Sequence, residues 1–283
     1  MSIVKGTDVA KKMTEELQAE VVKLKDKGIH PRAVVVRVGD NPSCIAYGKG
    51  ATKKLESVGV CVEHVVFDGG ISQEDFMKEF CKINNDPEVH GILLLRPLPT
   101  HLNEKAISEA VNPLKDVDSI SPMNMYNVMI GANEAFPPCT PEAVMEIIDY
   151  LGVDLTGKKV AIVGASKVVG LPLFLLMLNR NATCVQCHIH TKDLVAECKN
   201  AEIVVVAAGK RGLIKPEHIA PGAMVIDVGI NVGEDGKLYG DVAFDDVEPL
   251  ADYITPVPGG VGAVTSTVLA SHVVKAAKLL HAV

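Results

Sequence analysis

A short apolar run, Val160-Ala161-Ile162-Val163, leads directly into Gly164-Ala165-Ser166-Lys167-Val168-Val169-Gly170-Leu171-Pro172. Strand, glycine turn and helix in that order are the parts of a phosphate cradle. Glycine tolerates the tight backbone that leaves the strand. The helix that follows offers unpaired N–H groups and the positive end of its dipole to an anion. The common fingerprint G-x-G-x-x-G is not met, because Ser166 stands at the second glycine and Gly170 comes one residue late. A serine hydroxyl can itself donate to phosphate. The competing reading is a plain strand-to-helix turn without a ligand, and the surrounding strand–helix–strand context favours the cradle.

That context extends along the chain. Residues 8–27 carry Val9, Met13, Leu17, Val21 and Leu24 at the spacing of an amphipathic helix. Strands are predicted at 33–38, 60–66 and 91–95, and helices at 45–57 and, behind a Ser72 cap, at 73–84. The strands read as continuous apolar runs, which predicts a parallel sheet covered on both faces. Residues 112–139, with four prolines and little periodicity, are expected to form the crossing between two domains. Thr140-Pro141-Glu142 predicts a helix start, with Thr140 as its cap and Pro141 at the first position. The second half repeats the alternation, with strands at 159–163, 183–189, 203–207 and 224–228 and helices near 169–179, 191–199 and 215–219. Residues 253–262 read as a loop, and 265–280 as a final helix with Val268, Val273, Ala276, Leu279 and Leu280 on its apolar side.

At 283 residues and 48% hydrophobic content the chain can bury two cores of ordinary size. A net charge of -7 argues against nucleic acid or a membrane surface as its partner. The first residues lack the apolar stretch of a signal peptide, and no run is long enough for a spanning helix. Seven scattered cysteines, an odd number, predict free thiols in a reducing compartment, hence a cytoplasmic protein. Cys184, Cys187, His188 and His190 resemble a metal cluster, but on a strand Cys184 and Cys187 face opposite ways, so no metal is expected. The strand end Cys187-His188-Ile189-His190-Thr191-Lys192 holds neither a carboxylate for the ribose hydroxyls of NAD nor an arginine for the 2′-phosphate of NADP. His190, Lys192 and Lys167 are the nearest candidates for that phosphate, and the choice of dinucleotide stays open.

Further motifs carry a resemblance. Val38-Gly39 is followed by Asn41-Pro42-Ser43 and Tyr47, then Pro97-Leu98-Pro99, Lys115-Asp116-Val117-Asp118 and Pro138-Cys139-Thr140-Pro141. After the glycine turn come Val225-Ile226-Asp227-Val228-Gly229-Ile230-Asn231, Gly240-Asp241-Val242 and Thr255-Pro256-Val257-Pro258-Gly259-Gly260-Val261-Gly262. In this order the chain resembles, over essentially its whole length, the bifunctional methylenetetrahydrofolate dehydrogenase/cyclohydrolase family. The resemblance implies a homodimer. It implies an N-terminal three-layer α/β catalytic domain over 1–120, completed by the last helix at 264–283, and a Rossmann domain over 140–262, with a folate cleft between them. It also implies a tetrahydrofolate derivative as substrate and NADP as cofactor, with NAD still possible. Asp118 matches the carboxylate that receives the pterin edge, Tyr47 the tyrosine that stacks on its ring, and Pro258, Gly259, Gly260, Val261 and Gly262 a loop that approaches the flat ligand. Gly164, Ala165, Ser166, Val169, Gly170, Ile189 and Ile230 fall at cofactor positions. The residues that hold the 2′-phosphate in many relatives stand where this chain has Ala165 and Ile189, neither of them basic or hydroxyl-bearing.

One departure bears on the chemistry. In the resembled family a lysine follows the tyrosine by four residues and drives the cyclohydrolase step, and a glutamine two residues before the first proline tunes it. This chain has Ala51 and Leu95 there, and Ser119 in place of the glycine after the aspartate. Alanine and leucine cannot act as acid or base. Hydride transfer to a nicotinamide needs no protein base, so the dehydrogenase reaction is expected to survive and the cyclohydrolase to be weak or absent. The alternatives are a relocated lysine, with Lys54 on the face of Ala51 and Lys49 and Lys53 off it; a two-domain dehydrogenase for another substrate; and a non-enzymatic dinucleotide-binding relative.

Overall fold

The computed structural model describes residues 2–283. In chain order its elements are β1 (Ser2–Ile3), α1 (Gly6–Asp26), β2 (Arg32–Val38), α2 (Pro42–Ser57), β3 (Cys61–Phe67), α3 (Gln73–Asn85), β4 (Gly91–Leu94), α4 (Glu104–Ala110), α5 (Pro122–Ile130) and α6 (Cys139–Tyr150). There follow β5 (Lys159–Val163), α7 (Gly170–Asn179), β6 (Thr183–Cys187), α8 (Leu194–Lys199), β7 (Ile203–Val206), β8 (Met224–Asp227), β9 (Asn231–Val232), β10 (Leu238–Tyr239), α9 (Phe244–Val247), β11 (Tyr253–Ile254) and α10 (Val261–His281). Two compact units result. One holds Lys12–Val128, Ala132–Cys139 and Ser266–Val283; the other holds the segment through Lys11, Met129–Gly131 and Thr140–Thr265.

The first unit is built on a parallel sheet of order β3-β2-β4. Its core joins Val34, Val36 and Val38 of β2 to Ile92 and Leu94 of β4 and to Phe76 and Phe80 of α3. Phe76 and Phe80 lie one helical turn apart and stack with ring centroids at 5.5 Å. The apolar stripe of α1 is buried as its spacing predicts. Ser72 caps α3 by accepting the Asp75 N–H at 3.1 Å. The expectation of full cover fails at β3: it is an edge strand, and its Glu63 and His64 side chains reach the surface, where charge is not desolvated. The stretch 112–139 is not featureless, because α5 lies within it. Thr140 is not a cap: α6 already begins at Cys139.

The second unit carries a six-stranded sheet of order β1-β11-β8-β7-β5-β6, every pairing parallel. From β5 the chain steps to β6 on one side, then crosses to β7 on the other. At such a reversal a doubly wound sheet opens a crevice beyond its strand ends. The 253–262 segment is not all loop, since β11 pairs with β8 and β1, and α10 begins at Val261 rather than Thr265. Residues 2–3, expected with the first domain, are therefore an edge of the second sheet. The predicted helix at 191–199 starts only at Leu194, where Asp193 caps it, and 215–219 holds just a 3₁₀ turn at Pro216–His218. Among the described residues all seven cysteines are free, no group of three metal-ligating side chains occurs, and no helix is long and apolar enough to cross a membrane.

Candidate active site

The glycine turn sits at the end of β5. Gly164 has φ +120°, and a Cβ there would lie 2.1 Å from Ala207 O. A Cβ on Gly170 would lie 1.8 Å from Gly164 O. One glycine lets the end of β7 approach; the other lets α7 close on the turn. Ser166 Oγ accepts the N–H groups of Val169 at 3.1 Å and Gly170 at 3.4 Å, so its own hydrogen stays free to donate. Gln186 of β6 donates to Gly164 O at 2.6 Å and fixes the turn from outside. Among the described residues no hydrogen bond engages the N–H groups of Ala165, Ser166, Lys167 and Val168. Four free donors ahead of the ten-residue α7 fit a pyrophosphate.

A cavity of about 590 Å³ opens beside this turn, lined by residues that include Gly164, Ala165, Ser166, His188, Ile189, Thr191, Ala207 and Lys210. Such a volume is that of a small-molecule pocket. Ile189 is 93% exposed. His190, Lys192 and Lys167, singled out from the sequence, do not line it, whereas His188 and Lys210 do. Lys210 escaped sequence reasoning because it follows β7, which neighbours β5 only through the sheet.

A second cavity of about 310 Å³ is lined by Asp227, Val228, Gly229, Ile230, Leu238 and residues 256–263. Its loop needs glycine: Gly259 has φ +97°, and a Cβ on Gly260 would meet Pro256 O at 2.4 Å. Gly6 N donates to Gly259 O at 2.8 Å and anchors the loop from the start of α1. Behind it two carboxylates lock the backbone. Asp227 accepts from Gly229 N, Asp241 N and Val242 N at 2.9–3.0 Å. Burial pushes its pKa up to about 6 against those three donors. Asp241 accepts from Ala208 N, Gly209 N and Asn231 Nδ2 at 2.7–2.8 Å. Both aspartates stand in the sequence as motif letters; only the fold shows Asp227 tying Gly229 to 241–242 and Asp241 clamping the 208–209 loop.

In the first unit α2 starts under an Asn41 cap with Pro42 behind it. This places Tyr47, 46% exposed, on the second turn. Ala51 shares the buried face of α2 with Cys44, Gly48 and Leu55. Leu95 packs there too, its Cδ1 3.0 Å from where a Gly48 Cβ would be. Asp118 faces the phenol: burial, then the Asp118 charge, raise the pKa of Tyr47. Burial likewise raises Asp118, while Arg96 and the Cys139 thiol pull it down. His272 Nδ1 donates to Val117 O at 2.8 Å, and Asp116 accepts from Ile120 N, Ser121 N and Asn124 Nδ2 at 2.8–3.0 Å. These bonds position Asp118 between them. Arg96 was not anticipated as a neighbour of the pair. Lys54, the substitute candidate, donates to Thr14 Oγ1 of α1 at 3.2 Å, and burial lowers its pKa. Lys49 and Lys53 are exposed.

A doubly wound parallel sheet with free N–H donors at its first glycine turn and an open cavity at its switch point defines a dinucleotide-binding enzyme domain. Residues 138–281 match the NAD(P)-binding domain, and residues 4–118 the catalytic domain, of tetrahydrofolate dehydrogenase/cyclohydrolase. The bifunctional protein FolD of Alkaliphilus metalliredigens is 51% identical over 276 residues, covering 98% of this chain and 97% of that protein. The crystal structure of the bifunctional enzyme FolD from Campylobacter jejuni superposes with a TM-score of 0.94 at 39% identity, covering 99% of each chain. The Trypanosoma brucei enzyme, solved with NADP cofactor and inhibitor, gives a TM-score of 0.89 at 34% identity over 99% of this chain and 98% of that one. The chain belongs to the tetrahydrofolate dehydrogenase/cyclohydrolase family. The resemblance read from the motifs and the expected α/β class with a Rossmann-type parallel sheet are both borne out.

Proposed function

We propose that this protein oxidises 5,10-methylenetetrahydrofolate to the 5,10-methenyl form with NADP, and that it carries little or no cyclohydrolase activity. Bound NADP supplies the hydride acceptor. The methylene carbon loses hydride and becomes a cation shared by its two flanking nitrogens, so no protein base is required. The chain's own task is to bind and orient. We assign the pyrophosphate to Gly164, Ala165, Ser166, Val169 and Gly170, with Ile189 and Ile230 as apolar neighbours of the cofactor. Tyr47 stacks on the pterin. Asp118 takes its donor edge, and two N–H bonds from that edge favour the ionised carboxylate against burial. Leu95 and the loop Pro258, Gly259, Gly260, Val261 and Gly262 complete the substrate contacts.

The observation that carries the monofunctional reading is the pair Ala51 and Leu95, buried at 2% and 3% exposure. Neither can move a proton where hydrolysis of the methenyl carbon would need one. The purified protein, given methylenetetrahydrofolate and NADP, is expected to accumulate methenyl product and NADPH together. Methenyl decay faster than in buffer would overturn the loss of cyclohydrolase, and no reduced cofactor would overturn the dehydrogenase.

A relocated base is the second reading, favoured by the lowered pKa of Lys54. Enzyme-dependent decay that vanishes in Lys54→Met would support it. The working form we infer is a cytoplasmic homodimer, which sedimentation and fractionation test.

A further inference from the structure

We propose that Lys210 selects NADP over NAD by meeting the adenosine 2′-phosphate, with His188 Nε2 as a second donor beside it. The inference rests on the dinucleotide reading of the 590 Å³ cavity. In sheets of this kind the adenosine ribose lies by the strand after the glycine turn, here β6. Ala165 and Ile189 offer no charge there. Among the described residues no carboxylate lines the cavity, so none there grips the two ribose hydroxyls of NAD in the usual way or repels a phosphate.

Among the described residues Lys210 is the one lysine or arginine in the lining. Parallel pairing of Val163 with Val206 brings its loop beside the turn. Asp241 holds that loop by accepting Ala208 N and Gly209 N at 2.7 and 2.8 Å, so the lysine projects from anchored backbone. Among the described residues no ion pair engages its ammonium; Lys158, by contrast, is held by Glu202 at 2.6 Å. His188 Nδ1 accepts the His190 N–H at 3.1 Å, which assigns the neutral ring's proton to Nε2 and makes that atom a donor. Thr191 Oγ1 accepts from His188 N at 2.9 Å and its side chain also engages the Cys187 thiol, which fixes the His188 backbone beside the cavity. One ammonium and one ring N–H suit a phosphate dianion.

Calorimetric titration of the full chain with adenosine 2′,5′-bisphosphate and with 5′-AMP tests this. The wild type is expected to bind the bisphosphate about tenfold or more tightly, the scale of one charge-assisted contact. Lys210→Gln is expected to bind the two within about twofold of each other, and Lys210→Arg to keep the preference. In turnover, Lys210→Gln should lose kcat/KM for NADP and not for NAD. A preference that survives in Lys210→Gln, an equal weakening of both nucleotides, or no preference in the wild type would each overturn the assignment. Failure of the wild type to bind either nucleotide would remove the dinucleotide reading of this cavity as well.

Discussion

Ser119 follows the carboxylate assigned to the pterin and has φ +56°, the left-handed region that favours glycine. Its Oγ is buried with no hydrogen-bond partner among the described residues. Two costs thus fall on one side chain: about 1–2 kcal/mol for a Cβ in that conformation, and about 1–3 kcal/mol for the unpaired hydroxyl. Glycine returns about 0.5–1 kcal/mol through its freer unfolded chain. Ser119→Gly is therefore expected to stabilise the protein by about 2 kcal/mol, raising Tm by roughly 2–4 °C per kcal/mol. The turn itself is held by Asp116 through Ile120 N and Ser121 N, so folate affinity should change little. Urea titration read by circular dichroism measures the gain. Ser119→Ala separates the two costs, since it removes the hydroxyl but keeps the strained backbone, and it should recover about half. An unchanged or lower midpoint in Ser119→Gly would refute the reasoning. A gain in Ser119→Ala equal to that in glycine would put the whole cost on the hydroxyl.

Asp118→Asn should lower kcat/KM for methylenetetrahydrofolate about 100-fold, the weight of a charge-assisted two-point contact, while nucleotide affinity holds; an unchanged folate KM would remove Asp118 from the site. Gly170→Ala puts a Cβ 1.8 Å from Gly164 O, so the cradle must shift and NADP affinity should fall by tenfold or more; Gly50→Ala, in open space on α2, is expected instead to raise Tm slightly through better helix propensity. His90, 1% exposed, accepts Arg32 N on Nδ1 and meets His281 at 3.1 Å. Burial and then the His281 charge push its pKa from 6.5 to about 4, with Lys115 and Arg32 also lowering it and Glu88 raising it. The folded state therefore resists a proton that the unfolded chain accepts, and stability falls as pH drops from 6.5 towards 4, by up to about 3 kcal/mol. In His90→Asn the amide oxygen can still accept from Arg32 N, and the stability–pH slope over that window should flatten relative to the wild type; parallel slopes would sink the idea.

Local patterns were legible in the residues alone. The stripe of α1, the Ser72 cap, the buried runs of β2, β4, β5, β7 and β8, and the strand–turn–helix at Gly164 each depend on neighbours within one helical turn or one strand, so spacing and residue type sufficed. So did the absence of an ionisable group at Ala51 and Leu95, because chemistry that a side chain lacks cannot be restored by its position. Two-residue strands such as β1 and β11 carry no periodicity, and only the sheet that pairs them across the length of the chain makes them strands. β3 reads as apolar but lies at an edge, a fact about its missing neighbour. Gly6 matters through Gly259, Asp241 through Ala208 and Gly209, and the cavity lining gains Lys210 through the pairing of β7 with β5. The Gly164 turn and the missing acid–base pair thus belong to the sequence by itself. Which cation stands beside that turn, and which backbone holds it there, was decided by long-range parallel pairing, since only the folded sheet brings strand ends so distant in the chain to one edge.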